Sequence, residues 1–286
     1  RSASLLLQER VPDAVDLYSP RRHFESHEGR VKPVRYEPRI FTHADSPTPE
    51  IQLLSNGHYH LMITPGGGGY SRWKNIALTR WRSDTTRDNW GTFCYIRDPL
   101  TDEVWSNTWQ PTGGGSADIS DEIIFTDAGA EFRRVLGSLS VKTQVVVSPE
   151  DDIELRRVTL THHGRTPRAL SLMTYAEVVL APDASDQSHP AFSNLFIQTE
   201  TDPTRDAILC HRRSRSPDEQ SPYLFHMMVV HGDYSENVSF ETDRARFIGR
   251  GKSPADAQAA NKDGPLSNTS GAVLDPILSI RHAITL

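Results

Sequence analysis

The 286-residue sequence is poor in cysteine, and its two cysteines, Cys94 and Cys210, lie far apart. Neither belongs to a CxxC or Cys/His pattern, so the sequence predicts neither a disulfide framework nor a zinc site. No apolar run approaches the roughly 18–20 residues that cross a bilayer, and no signal-peptide pattern stands at the start. We therefore expect two reduced, buried thiols and no direct membrane insertion.

An excess of positive charge is also missing. The 31 Lys and Arg residues face 37 acidic residues, which gives a formal net charge of −6. Because nucleic-acid binding depends on a basic surface, we expect no nucleic-acid partner. The chain has no GxSxG elbow and no Cys/His nucleophile pairing. His58 and His60 could share one face of a strand, but no third ligand accompanies them, so we predict neither a catalytic residue nor a metal site.

The hydrophobic pattern is that of strands. From Leu53 onward, apolar residues recur at period two in short runs bounded by Gly, Pro, Asn and Asp. The predicted strands are 58–64, 92–97, 103–109, 123–126, 130–136, 140–147, 153–161, 169–180, 195–200, 207–212, 223–230 and 238–242. We predict an all-β, large antiparallel sandwich with little helix over residues 51–286. Residues 1–50 are predicted to form an N-terminal extension that packs on the sandwich or leads into it, and the segment 249–276 is predicted to be irregular.

Tryptophan and arginine are concentrated in one stretch. All five tryptophans lie within residues 73–109, interleaved with Arg80, Arg82, Arg87 and Asp88. Aromatic rings can cover the apolar C–H faces of sugars, and guanidinium and carboxylate groups can hold sugar hydroxyls, so this mixture is typical of a glycan or sugar-phosphate surface. The alternative is a tryptophan-rich core edged with surface ion pairs, with individual tryptophans serving either purpose.

Four consecutive glycines, at positions 66–69, precede Tyr70, Ser71, Arg72 and Trp73. Glycine admits positive φ and close approach of the backbone, so we predict a loop presented to a binding site, with a plain flexible turn as the alternative. Glu177 alternates with apolar neighbours, which predicts either a general base in a partly buried site or a structural, hydrogen-bonded carboxylate.

Several ordered runs resemble a known family. They are 54–59 (LSNGHY), 67–73 (GGGYSRW), 79–82 (TRWR), 86–88 (TRD), 147–151 (VSPED), 174–180 (TYAEVVL), 189–193 (HPAFS) and 242–247 (TDRARF). The chain resembles the phosphorylase-like module of bacterial cyclic β-1,2-glucan synthases, which is grouped with cellobiose and chitobiose phosphorylases in glycoside hydrolase family 94. Pro65 stands where the family pattern has Asn, so the loop before Gly66 could differ.

The resemblance implies a β-supersandwich of the galactose mutarotase kind. In such proteins a helical linker and an α/α-barrel follow, the barrel carries an Asp general acid, and inorganic phosphate attacks the glycosidic carbon with inversion. The present chain matches the sandwich alone, so the resemblance implies no catalytic residue and no cofactor here, with phosphate as co-substrate of the parent protein. A sandwich loop of relatives reaches over the barrel. The residues matched to that sugar-binding role are Gly68, Gly69, Tyr70, Ser71, Arg72, Trp73, Arg80, Arg82, Arg87 and Asp88.

These expectations combine into a sugar-facing, non-catalytic module of a glucan synthase or phosphorylase. Its expected partners are a β-glucan oligosaccharide and an α/α-barrel of the same chain or of a dimer partner. The resemblance also places the module on the cytoplasmic face of an inner-membrane protein. A free-standing carbohydrate-binding module is the first alternative, and a mutarotase-like epimerase, which needs a converging pair such as Glu177 and His226, is the second.

Overall fold

The computed structural model describes residues 37–48, 50–84, 86–114, 119–214, 222–234 and 237–286. Most of the predicted N-terminal extension lies outside these residues, and the boundary at residue 50 stays a prediction. Every pairing between the strands named below is antiparallel. The described residues form three sheets, and the prediction of an antiparallel sandwich with little helix is confirmed.

The large sheet forms one layer. Its strands are β2 (Gln52–Ser55), β3 (Tyr59–Ile63), β4 (Gly69–Trp73), β5 (Ile76–Thr79), β6 (Phe93–Arg97), β7 (Val104–Ser106), β12 (Ala169–Pro182), β16 (Asp233–Tyr234), β17 (Ser239–Asp243) and β18 (Pro276–Thr285). Strand β12 is the centre, because β18 pairs along one edge while β5 and β6 pair with different halves of the other edge. From β5 the sheet continues through β4 and β3 to β2.

Two smaller sheets form the second layer. The second sheet has the order β1 (Arg39–Phe41), β8 (Ile119–Phe125), β9 (Ala130–Leu136), β10 (Leu139–Val147) and β11 (Glu154–His162). The third sheet has the order β13 (Ile197–Asp202), β14 (Ala207–Arg212) and β15 (Tyr223–Met227). Alternate residues of β10 are buried, which is the period-two pattern that predicted this strand.

Both smaller sheets pack on the same face of the large sheet, which we call the inner face. Leu61 of β3 packs with Phe132 of the second sheet. Val178 of β12 packs with Ile208 of the third sheet. The core of the sandwich therefore lies between the large sheet and the two smaller ones. We call the opposite face of the large sheet the outer face, and different segments of the chain cover different parts of it.

The helices of the described residues are short and pack beside or over the large sheet. They are α1 (Asp183–Ser188), α2 (Pro190–Asn194) and α3 (Arg244–Ile248), with one turn of 3-10 helix at Pro254–Asp256. Segment 249–275 lacks strands, as predicted, yet its Ala260 and Leu266 pack with Tyr175 of β12 on the outer face. No helix among the described residues is long and apolar enough to cross a membrane.

Candidate site on the outer face of the large sheet

Strand β4 sends its side chains to both faces of the large sheet. Ser71 and Trp73 point inward, where the Ser71 hydroxyl donates to Glu154 at 2.5 Å and Trp73 Nε1 donates to Asp152 at 2.5 Å. Trp73 also packs against the core between the sheets. Because successive side chains of a strand alternate, Tyr70 and Arg72 lie on the outer face. Sequence-predicted site residues are thus divided between the interior and the surface.

Tyr70 and Arg72 belong to a cluster that we call the outer-face patch: His60, Tyr70, Arg72 and Trp81. The rings of Tyr70 and Trp81 meet edge to face, with centroids 5.7 Å apart and planes at 65°. The Arg72 guanidinium carbon lies 5.9 Å from the Tyr70 ring centroid. His60 is the register partner of Arg72 on β3. All four side chains are partly exposed.

The outer-face patch has the chemistry of a sugar-contacting surface. Two accessible aromatic rings provide faces for the C–H side of a pyranose. The Arg72 guanidinium adds donors for hydroxyl groups. Its Nε is buried and has no hydrogen-bond partner among the described residues, so the donors open to a ligand are those of the two terminal nitrogens. His60 and Trp81 were not among the residues matched to sugar binding, and the pairing of β3 with β4 is what brings His60 into the patch.

The glycine run, which we predicted to form a loop presented to a binding site, lies against neighbouring segments of the chain. Positions 65–69 are buried, and Gly69 already belongs to β4. A methyl group on Gly68 would lie 2.2 Å from Asp88 Oδ1, and one on Gly69 would lie 1.9 Å from the Met62 carbonyl oxygen. The amide of Gly69 donates to the Trp90 carbonyl at 2.7 Å. Glycine is needed at position 68 because the 86–91 segment crosses directly over this strand entry, and at position 69 because the backbone of β3 lies against it.

Asp88 and Arg87 are neighbours with different surroundings. Asp88 is half-buried against the glycine run and accepts a short hydrogen bond from the Thr64 hydroxyl. Burial raises the pKa of the Asp88 carboxyl to about 6, against which the Thr64 hydrogen bond acts weakly. Arg87 is exposed. Of these two predicted sugar contacts, Arg87 is the one with a solvent-facing side chain. The Asp88 carboxylate instead packs against the glycine run and Thr64, where the two segments cross.

Arg80 lies in what we call the buried charge cluster: Arg80, Glu177, Asp186, Asp275 and Arg244. Arg80 Nη1 donates to Glu177 at 2.8 Å and to Asp275 at 3.0 Å. Its Nη2 and Nε face Asp186 at 3.3 and 3.4 Å. Glu177 also accepts from Arg244 Nε at 2.7 Å. Only 7% of Arg80 is exposed and all its nitrogens are engaged inside the protein, so nothing in this geometry presents it to a sugar, and its role as a sugar contact stays a prediction.

The buried charge cluster fastens the short helices to the large sheet. Asp186 of α1, which is fully buried, accepts hydrogen bonds from both Arg80 and Arg82. Asn194 at the end of α2 accepts from Arg80 Nη2 at 2.9 Å. Glu177 is therefore the structural, hydrogen-bonded carboxylate of the two alternatives drawn from the sequence. Arg82 is partly exposed, but its guanidinium is turned to α1.

The pair named for an epimerase does not converge. Glu177 points to the outer face of β12, whereas His226 of β15 contacts the Thr174 hydroxyl at 2.9 Å from the inner side. Burial lowers the pKa of His226 to about 4, so its ring is neutral at physiological pH. Among the described residues there is also no group of three His, Cys, Asp or Glu side chains that could hold a metal ion.

Comparison with known proteins matches residues 34–286 to the supersandwich domain of glycosyl hydrolase 94. The chain is 37% identical over 285 residues to "Cyclic beta-(1,2)-glucan synthase NdvB" of Rhizobium meliloti (strain 1021), covering 99% of this chain and 10% of that protein. It is 23% identical over 261 residues to "N,N'-diacetylchitobiose phosphorylase" of Vibrio furnissii, covering 86% of this chain and 32% of that protein.

A third relative, "Solabiose phosphorylase" of Paenibacillus borealis, is 23% identical over 256 residues, covering 86% of this chain and 31% of that protein. The chain thus spans a tenth of the synthase and about a third of each phosphorylase. The family match covers the large sheet, both smaller sheets and the outer-face patch. The resemblance seen in the sequence is confirmed, and the chain belongs to the glycosyl hydrolase 94 supersandwich family.

Proposed function

We propose that this chain is a sugar-facing, non-catalytic module of a β-1,2-glucan synthase or β-glucan phosphorylase, and that its outer-face patch contacts a β-glucan oligosaccharide. The observation that carries this proposal is the accessible edge-to-face pair of Tyr70 and Trp81 with Arg72 beside it. Relatives of the chain are named for glucan synthesis and for phosphorolysis of disaccharides, which supports a sugar as the ligand.

The chemistry belongs, in this proposal, to another domain. An α/α-barrel of the same chain or of a dimer partner carries the general acid, and inorganic phosphate is its co-substrate in inverting phosphorolysis or chain-length control. No cofactor is assigned to the present chain. The family resemblance, rather than any feature of the described residues, is the basis for placing the module on the cytoplasmic face of an inner-membrane protein.

A surface suited to such a domain contact lies on the third sheet. Tyr223, Phe225 and Met227 project from the outward side of β15 and are 69%, 51% and 50% exposed. Alternate residues of the same strand face the interior, where Leu224 packs on the core. Rows of large exposed apolar side chains are unusual on a free surface and are typical of protein contacts, which supports a covering domain.

A free-standing carbohydrate-binding module is the second candidate, and the same patch favours it. The two proposals differ in what the chain does alone: a binding module holds glucan at full strength without a barrel, whereas a supporting module holds it only weakly until the barrel completes the site. The epimerase alternative is not proposed, because its carboxylate and imidazole contact opposite faces of β12.

Calorimetric titration of the chain with linear and cyclic β-1,2-glucans tests the proposal. We expect Tyr70→Ala and Trp81→Ala each to weaken binding roughly tenfold, because each removes one aromatic face, and tenfold corresponds to about 1.4 kcal/mol. Tyr223→Ala is the matched control, since it removes an equally large exposed ring from β15. Equal losses in the control would move the sugar site away from the patch. No heat with a folded chain would exclude the free-standing binding module.

A further inference from the structure

A recess lies on the outer face, on the other side of β12 from the outer-face patch. Strands β17 and β18 form its floor, and segment 249–275 forms its wall. The recess has a volume of about 350 Å³, within the range of roughly 300–1,000 Å³ that small-molecule sites occupy. The charged and amide side chains that line it are Glu241, Arg246, Gln258, Lys262, Asp263 and Arg281.

The two acidic side chains of this recess are already satisfied by the protein. Glu241 is 2% exposed and accepts hydrogen bonds from the backbone amides of Thr242 and Asp243, at 3.0 Å each, and from the Ser267 hydroxyl. Asp263 is paired with Arg97. Asp263 thus has a cationic partner and Glu241 has three neutral hydrogen-bond donors, so both carboxylates have partners within the protein.

The three basic side chains are less fully engaged. Arg246 is 60% exposed, and its one ion-pair partner among the described residues is Asp243, at 3.8 Å. Arg281 donates from Nε to Ser171 at 2.8 Å and from Nη1 to the Lys262 carbonyl at 3.0 Å, and both acceptors are uncharged. No carboxylate among the described residues lies within ion-pair distance of Arg281. Burial and the nearby Arg97 lower the pKa of Arg281, and the Asp263 carboxylate, which lies beyond ion-pair distance, offsets this only in part, so Arg281 has no direct ionic partner among the described residues.

We propose that this recess binds a small phosphate-bearing molecule, whose phosphate group is held by Arg246, Lys262 and Arg281. Guanidinium and ammonium groups are the side chains best suited to phosphate oxygens, and a bound dianion supplies the missing counter-charge. Gln258 and the remaining acceptor capacity of Glu241 provide hydrogen bonds for a hydroxylated portion of the ligand. The proposal does not depend on sugar binding at the outer-face patch.

Titration of the chain in phosphate-free buffer, followed by calorimetry and by the shift in thermal unfolding, tests this site. The probes are inorganic phosphate, glucose 6-phosphate and, as the uncharged match of the latter, glucose. We expect both phosphates to bind and glucose not to bind. The affinities should fall when sodium chloride is raised, because salt screens partly exposed charges. A higher affinity for glucose 6-phosphate than for inorganic phosphate would show that the sugar portion also contacts the recess. Equal affinities would show that the recess recognises phosphate alone. Either result supports the proposal.

Variants connect the binding to the recess. Lys262→Gln and Arg246→Gln remove exposed charges and are expected to leave the fold intact, and the double variant should weaken phosphate binding at least tenfold. Arg165→Gln, an exposed arginine after β11, is the matched control and should bind as the unaltered chain does. Binding of glucose as tight as that of its phosphate, unchanged binding in the double variant, or no binding at about 10 mM phosphate would overturn the proposal.

Discussion

The outer-face patch and the buried charge cluster come from the same tryptophan- and arginine-rich stretch, yet they are opposites. Arg72 is partly exposed beside an accessible tyrosine ring and has no ion pair with a described residue, whereas Arg80 is 7% exposed and has every nitrogen engaged with protein oxygens. One arginine is available to a ligand and the other fastens α1 and α2 to the large sheet. Residue type makes both roles possible, and position in the fold decides between them.

The difference predicts that the two arginines contribute unequally to stability. Arg80→Met should lower the free energy of unfolding by about 3–5 kcal/mol, because it leaves the buried carboxylates Glu177 and Asp186 without their main partner. Arg72→Met should cost less than about 1 kcal/mol, since Arg72 has no ion pair with a described residue and keeps its aliphatic stem in place. Urea unfolding of both variants at neutral pH measures this difference. Equal losses would contradict the distinction between the two regions.

The glycine crossing next to the patch should be nearly as sensitive as the cluster. Gly68→Ala places a methyl group against the Asp88 carboxylate and backbone, and overpacking of this kind costs about 3 kcal/mol at its upper end. Gly113→Ala is the matched control, because open space surrounds it and only its φ of +73° is unfavourable, at a cost of about 1 kcal/mol. If both alanine variants unfold at the same urea concentration, the 86–91 segment does not lie in close contact with Gly68.

Asp88 should make stability depend on pH. Its pKa is about 6 in the folded chain against an ordinary 3.8, so the folded state holds the proton more tightly than the unfolded state does. Stability from this group is therefore present below pH 4 and is lost as pH rises to about 6, where the buried charge costs about 2 kcal/mol. Asp88→Asn lacks this titration, so the variant should gain stability relative to the unaltered chain between pH 4 and pH 7. If urea unfolding gives the same difference in stability between the variant and the unaltered chain at every pH in this range, the effect of Asp88 is refuted.

Much of the sandwich could be predicted from local pattern, but the site could not. The strands Ala130–Leu136 and Ala207–Arg212 have the predicted bounds, because alternation of buried and exposed residues is itself a local signal. Strand β4 was missed because Gly-Tyr-Ser-Arg-Trp contains no alternating aliphatic residues and follows a run of glycines. The short strand Arg39–Phe41 was missed as well, in a segment interpreted as an extension.

The partners of Arg80 could not be predicted from the sequence, for a different reason. Glu177 and Asp275 lie 97 and 195 positions from Arg80 along the chain, and only the pairing of β12 with β5 and β18 brings them together. The same holds for Trp81, whose contact with Tyr70 depends on the turn of the chain after β5. The family resemblance supplied the supersandwich type, while the division of the arginines into buried and exposed required the three-dimensional contacts.

The central claim is that the outer-face patch, and not Trp73 on the inner face or the buried Trp105, meets the glucan. The five tryptophans allow a direct test, because each gives one indole N–H signal in a nitrogen-15 NMR spectrum and single Trp→Phe variants assign the signals. On titration with β-1,2-glucan, the signal of Trp81 should move, while those of Trp73, bound to Asp152, and Trp105, buried in the core, should stay in place. Movement of the Trp73 or Trp105 signal with a stationary Trp81 signal would contradict the claim.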